Sequence, residues 1–199
     1  MTDPDPAPVR DAASLLVLQG VATYTRVLMG MRGAQHKFMP NHLVFPGGAV
    51  DPDDSHSAIH APPRPGMLAR LDPNPAYARA LAYAAARELD EETGLHLGQP
   101  PDLSGFDYLC RAITPEGRPI RFDARFLIVN ATMIHGMLAG SGELEDLRWY
   151  GVDEALTLDL SYPTRKVMEQ LHAWLALDDA ARSNRTKTPT LRERSWHLE

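Results

Sequence analysis

The chain has 199 residues, a single cysteine and a formal net charge of −6. That length suits one domain of about 150 residues with decorations. The acidic balance argues against a nonspecific nucleic-acid binder, which presents a basic surface, and still admits a small anionic ligand in a local basic pocket.

Cys110 alone excludes an intramolecular disulfide and reads as a buried, inert thiol in a reducing, cytoplasmic setting. No stretch approaches the roughly 18 apolar residues of a membrane span, and residues 1–10 lack the apolar centre of a signal peptide.

In chain order, residues 1–11 read as a flexible start. Two apolar runs at 12–19 and 24–31, broken near Gly20, read as strands of a hairpin. A polar loop at 34–41 carries His36 and Lys37, and 42–45 returns to strand character before Pro46-Gly47-Gly48 turns the chain. These glycines either let backbone N–H groups approach an ion or ligand closely or simply make a tight turn. Residues 55–74 read as an irregular, proline-rich insertion that shapes access without building the core.

A helix is expected from about Pro75 to Thr93. Proline suits its first turn, an alanine-rich run over 76–86 has high helix propensity, and Gly94 stands where a left-handed cap is needed. Further strands are read at 105–113, 120–131 and 147–151, the first two as a hairpin, with a turn at 139–142. A second helix at 164–177 carries Val167, Leu171, Trp174 and Leu175 at helical spacing, a core stripe. Residues 178–199 read as a polar tail or partner-bound arm. This order implies one domain over 12–177, with a mixed sheet covered by helices on both faces.

The chemistry concentrates in Arg87-Glu88-Leu89-Asp90-Glu91-Glu92-Thr93-Gly94-Leu95. Glu91 and Glu92 lie about 60° and 40° to either side of Glu88 on the helix, so three carboxylates share one face and repel one another. A solvated acidic face would account for that pattern by itself. A hard divalent cation such as Mg²⁺ or Mn²⁺ would account for it too, because the donors are all oxygen.

Together with Val44-Phe45-Pro46-Gly47-Gly48 the stretch resembles the Nudix box, G-x5-E-x7-R-E-U-x-E-E-x-G-U with U aliphatic. Every fixed position of the second half is matched, by Arg87, Glu88, Leu89, Glu91, Glu92, Gly94 and Leu95. The first half departs: Asp54 stands where the pattern has Glu, and 32 residues rather than seven separate it from Arg87. This interruption resembles the branch that includes peroxisomal coenzyme A diphosphatases. The register leading to Phe45-Pro46-Gly47-Gly48 keeps that branch's spacing, with identity at Arg32, while Gly33, Lys37 and Asn41 replace Ser, Arg and Gly.

The resemblance implies an α/β/α sandwich and hydrolysis of a nucleoside diphosphate derivative by attack of water on phosphorus. It implies Glu88 and Glu92 as principal ligands of Mg²⁺ or Mn²⁺, Glu91 as a further ligand directly or through water, and Arg87 orienting a carboxylate. The general base would be Glu88 itself or a loop glutamate, with Glu143 the candidate, although Glu143 also reads as part of an exposed acidic turn. Gly47 and Gly48 would line the site. Arg32 and Lys37 would meet the 3′-phosphate of coenzyme A, away from the scissile diphosphate, or serve as ordinary surface charges. Coenzyme A or an acyl derivative is the favoured substrate, with ADP-ribose, a dinucleotide, or noncatalytic nucleotide sensing as alternatives. No nucleic-acid or membrane partner is expected, and a homodimer is left open.

Overall fold

The computed structural model describes residues 7–20, 24–35 and 39–199. Its central strand, β1 (Val9–Gln19), is buried on both faces over Leu15, Leu16, Val17 and Leu18, as expected of a strand covered by helices above and below. Successive side chains point to opposite faces. Leu15 and Val17 enter one core cluster while Leu16 and Leu18 enter the other.

Strand β1 pairs with β2 (Arg26–Arg32) only at the hairpin end, Leu18 with Val27 and Gln19 with Arg26. It then leaves β2 to pair with β4 (Gly47–Ala49), which follows the two-residue β3 (Leu43–Val44). On its other side β1 runs parallel to β7 (Arg121–Asn130), in register from Val9 with Arg121 to Leu18 with Asn130. Beyond β7 lies β6 (Asp107–Ile113), antiparallel as expected of a hairpin. A short ladder, β5 (Leu95–His96) with β8 (His135–Gly136), stands apart from the main sheet, while β9 (Leu144–Gly151) pairs with β2.

Two helical layers complete the expected α/β/α sandwich. On one face lie α1 (Pro65–Leu71) and α2 (Pro75–Thr93). On the other lie α3 (Val152–Thr157) and α4 (Tyr162–Leu175), the latter burying Val167, Met168 and Leu171. The Asn74 side chain accepts from the Ala76 N–H at the start of α2, and Gly94 ends it at φ 68°. Cys110 is fully buried, and burial pushes its thiol pKa up. Among the described residues no helix is long and apolar enough to cross a membrane.

Three boundary readings need correction. The sheet already includes Val9 to Asp11, so the start expected to be flexible contributes to β1. The insertion expected to be irregular at 55–74 contains α1, whose Met67 and Leu71 are buried in the core. Its Arg70 also forms a nearly buried ion pair with Asp107 at 2.8 Å.

The stretch expected to be a tail, 178–199, forms α5 (Asp179–Ser183) and a hairpin of β10 (Pro189–Arg192) and β11 (Ser195–Leu198). This hairpin extends the sheet beside β6, to give the order β11-β10-β6-β7-β1-β2-β3. Its two-residue turn places Glu193 and Arg194 at φ 45° and 68°. Such turns usually announce themselves with Asn-Gly or Asp-Gly, which is why Glu-Arg gave no signal.

Candidate active site

Strand β4 meets the C-terminal half of α2, and the glycines of β4 make the approach possible. A Cβ on Gly48 would collide with the Glu88 carboxylate, and one on Gly47 with Ser14 of β1. The Gly47 N–H donates to Glu92 Oε2 at 2.8 Å. The glycine pair thus lets β4 lie close against the carboxylates of α2.

Arg87 is the hub. Its Nε donates to Asp54 Oδ1 at 3.0 Å, and Nη1 donates to Glu88 Oε1 at 2.7 Å and to Glu91 Oε2 at 3.0 Å. Nη2 donates to the Ala49 carbonyl at 2.9 Å and to Asp54 Oδ2 at 3.3 Å. Burial works against the charge of Arg87, but the hydrogen bonds to Asp54 and Glu88 outweigh it and raise its pKa. Asp54, 2 % exposed, also accepts from the Asp51 N–H and so closes the short 3₁₀ turn Pro52–Ser55. The long insertion thus leaves the first acidic position of the box on its arginine.

Glu92 is 2 % exposed and, among the described residues, in no ion pair. Burial pushes its carboxyl up to about 8; the Gly47 N–H and the charge of Arg32 pull it down, while Glu88 and Glu143 push it further up. Glu88 is raised as well, first by burial, against the pull of Arg87, with Glu91 and Glu143 adding repulsion. Glu91 is exposed and turned toward Arg87.

Glu143 comes from the loop before β9, and that loop is tied to the end of α2. The Ala139 N–H donates to the Thr93 carbonyl at 2.8 Å and the Ser141 N–H to that of Glu92 at 3.4 Å, partners for carbonyls a helix end leaves open. The Gly33 N–H donates to the Glu143 carbonyl at 3.2 Å. Glu143 is exposed, yet its charge reaches both Glu88 and Glu92.

Arg32, at the end of β2 opposite Leu144, also reaches Glu92 electrostatically. Lys37 lies outside the described residues. Asn41 has φ 55°, a left-handed conformation that Gly and Asn both tolerate, which explains how it can stand in for the glycine of the related register. Sequence reasoning missed Arg79, two helical turns before Arg87. Its guanidinium donates to the Ser55 carbonyl at 2.7 Å and to that of Ser57, fastening the insertion beside Asp54.

Among the described residues no three His, Cys, Asp or Glu side chains form a ready-made ion cage. The donor chemistry nevertheless fits a hard divalent cation. Glu88 and Glu92 offer oxygen alone, burial raises the pKa of both, and a bound cation would relieve both their repulsion and the cost of burying charge.

No family profile matches the chain. Over 46 residues it is 52% identical to a Caenorhabditis elegans protein assigned as nudix hydrolase 7, a match spanning 23% of this chain and 15% of that protein. The crystal structure of a NUDIX hydrolase from Alicyclobacillus acidocaldarius is similar at a TM-score of 0.68 and 26% identity, over 89% of this chain and 97% of that one. The MutT protein from Methanosarcina mazei Go1 shares the fold at a TM-score of 0.60 and 16% identity, over 88% and 100% of the two chains. The NUDIX domain of Shewanella oneidensis NrtR, solved in complex with ADP ribose, shares it at 0.52 and 15%, over 85% and 90%. The chain thus shares the fold of these solved Nudix proteins, and its 46-residue match is to a nudix hydrolase of which it spans only a small part.

Proposed function

We propose that the protein hydrolyses the diphosphate linkage of a nucleoside diphosphate derivative with Mg²⁺ or Mn²⁺, coenzyme A or acyl-coenzyme A being the favoured substrate. The observation that carries this reading is the juxtaposition of half-buried Glu88 and buried Glu92 with Glu143 on a loop fastened to the same helix end. Three like charges gathered at one helix end work against the fold, a cost that a cation-binding role explains.

In this reading Glu88 and Glu92 hold the metal, and Glu91 joins directly or through water. When bound, such an ion supplies charge neutralisation for the diphosphate and a lowered pKa for water. Arg87 orients Glu88 from behind. Glu143, exposed beside the carboxylate pair, takes the proton from the attacking water, with Glu88 the alternative base. Gly47 keeps one Glu92 oxygen aligned through its N–H.

The coenzyme A preference rests on the register from Leu28 to Gly48, in which Arg32 and Phe45-Pro46-Gly47-Gly48 match and Lys37 keeps a positive charge without the bidentate fork. ADP-ribose and dinucleotides remain within the same class of linkage. The test is a turnover screen of coenzyme A, dephospho-coenzyme A, ADP-ribose and diadenosine compounds with each metal. Hydrolysis at the diphosphate that disappears with chelator supports the reading; a folded, metal-loaded protein that cleaves none of them rejects it.

A further inference from the structure

Every donor of Arg87 is already engaged within the protein. A guanidinium has five N–H donors. Those of Arg87 are taken by Asp54 twice, Glu88, Glu91 and the Ala49 carbonyl. It has none left for a substrate phosphate.

Arg32 is the opposite case. Its backbone is fully used, the N–H donating to the His42 carbonyl and the carbonyl accepting from the Asn41 N–H, both at 2.9 Å. Those bonds and the pairing with Leu144 hold the residue beside the Glu143 loop, whose own carbonyl is bonded by the next residue, Gly33. Its side chain is half-buried, and among the described residues its Nε, shielded from water, has no hydrogen-bond partner and the guanidinium pairs with no carboxylate. A buried N–H left without an acceptor is costly, and a guanidinium fork matches two oxygens of a phosphoryl group.

We propose that Arg32 binds the scissile diphosphate itself, through its non-bridging oxygens at the Glu88–Glu92 centre, and does not read the distal 3′-phosphate. The inference rests on the diphosphatase reading for its substrate class, and it assigns the anion-binding role to an arginine whose side chain is unengaged among the described residues. Any discrimination of coenzyme A from dephospho-coenzyme A then belongs to other residues, Lys37 first among them.

The deciding experiment compares wild type, Arg32→Gln and Arg32→Lys. Calorimetry with ADP and Mn²⁺ supplies a diphosphate without a 3′-phosphate, and thermal unfolding checks that each variant is folded. Loss of charge-assisted bonds predicts about 10- to 100-fold weaker ADP binding in Arg32→Gln, with Arg32→Lys between it and wild type. In turnover, Arg32→Gln should lose the same factor in kcat/KM on coenzyme A and dephospho-coenzyme A. A loss confined to coenzyme A, unchanged ADP affinity, or no ADP binding by wild type overturns the proposal. If wild type binds ADP but hydrolyses no diphosphate compound, the activity reading fails separately, and the ADP comparison still decides the role of Arg32. Should Arg32→Gln not fold, the Arg32→Lys affinity decides it: reduced binding supports the fork, and unchanged binding overturns it.

Discussion

Asp54 and Arg87 lie 33 positions apart in the chain, yet both oxygens of the one meet two nitrogens of the other, at 3.0 and 3.3 Å. The carboxylate is almost completely buried, so the pair cannot fall back on water when one member is lost. Removing one partner of a buried pair costs about 3–5 kcal/mol. Asp54→Ala should therefore lower stability by about 3 kcal/mol, near the bottom of that range because Arg87 keeps its other acceptors. Chemical denaturation measures it; an unchanged midpoint and slope would show that the pair contributes nothing.

Glu92 predicts an unusual pH dependence for the metal-free protein. Its folded pKa, about 8, lies above the ordinary 4.5 of the unfolded chain, so between these values the folded state binds more protons. Stability from this group is full below about pH 4.5 and falls as pH rises toward 8. Glu88, raised in the same direction, adds to the trend. The unfolding midpoint in chelator should fall over this interval, and Glu92→Gln should flatten the slope. A wild-type profile parallel to that of Glu92→Gln would reject the assignment.

Added Mn²⁺ should reverse that loss. An ion that binds the folded state alone raises stability by about 2.7 kcal/mol at a concentration 100 times its Kd. Differential scanning calorimetry at about pH 7.5, within the interval where Glu92 loses its proton, should show a concentration-dependent rise for wild type and a much smaller one for Glu92→Gln. Equal rises in both would place the ion elsewhere.

Glu143 is exposed and its loop is held mainly by backbone bonds, so Glu143→Gln should fold with an unchanged midpoint. A general base contributes typically 10²- to 10⁴-fold, so kcat should fall on the order of 100-fold or more with metal affinity nearly intact. If kcat is preserved, Glu88 is the better candidate for the base.

The insertion is expected to matter for stability, contrary to a reading from its prolines. Met67 and Leu71 of α1 are 2% and 4% exposed, in the same core cluster as the alanines of α2. Leu71→Ala should cost about 2–5 kcal/mol, as other large-to-small core changes do. Denaturant titration will measure this, and a loss below about 0.5 kcal/mol, the scale of a tolerated surface change, would mean the helix is an ornament.

What the sequence determined by itself is local. Pro75 starts α2, Gly94 stops it, and helical spacing puts Glu88, Glu91 and Glu92 on one face, because propensity, capping and periodicity act within a few residues. The apolar runs of β1, β2, β6 and β7 were legible for the same reason. Tertiary structure decided everything that depends on which distant segments meet. The alanines of α2 read as helix formers, but small side chains are also what lets the helix pack closely in the core it shares with β1 and α1. Asp54 reaches Arg87 only because Arg79 and the 3₁₀ turn fold the insertion back, and Arg32 comes within electrostatic reach of Glu92 only because β2 pairs with β9. Strands β10 and β11 are too short to carry a pattern and are anchored where β10 pairs with β6, a contact between segments distant in the chain that no local signal encodes.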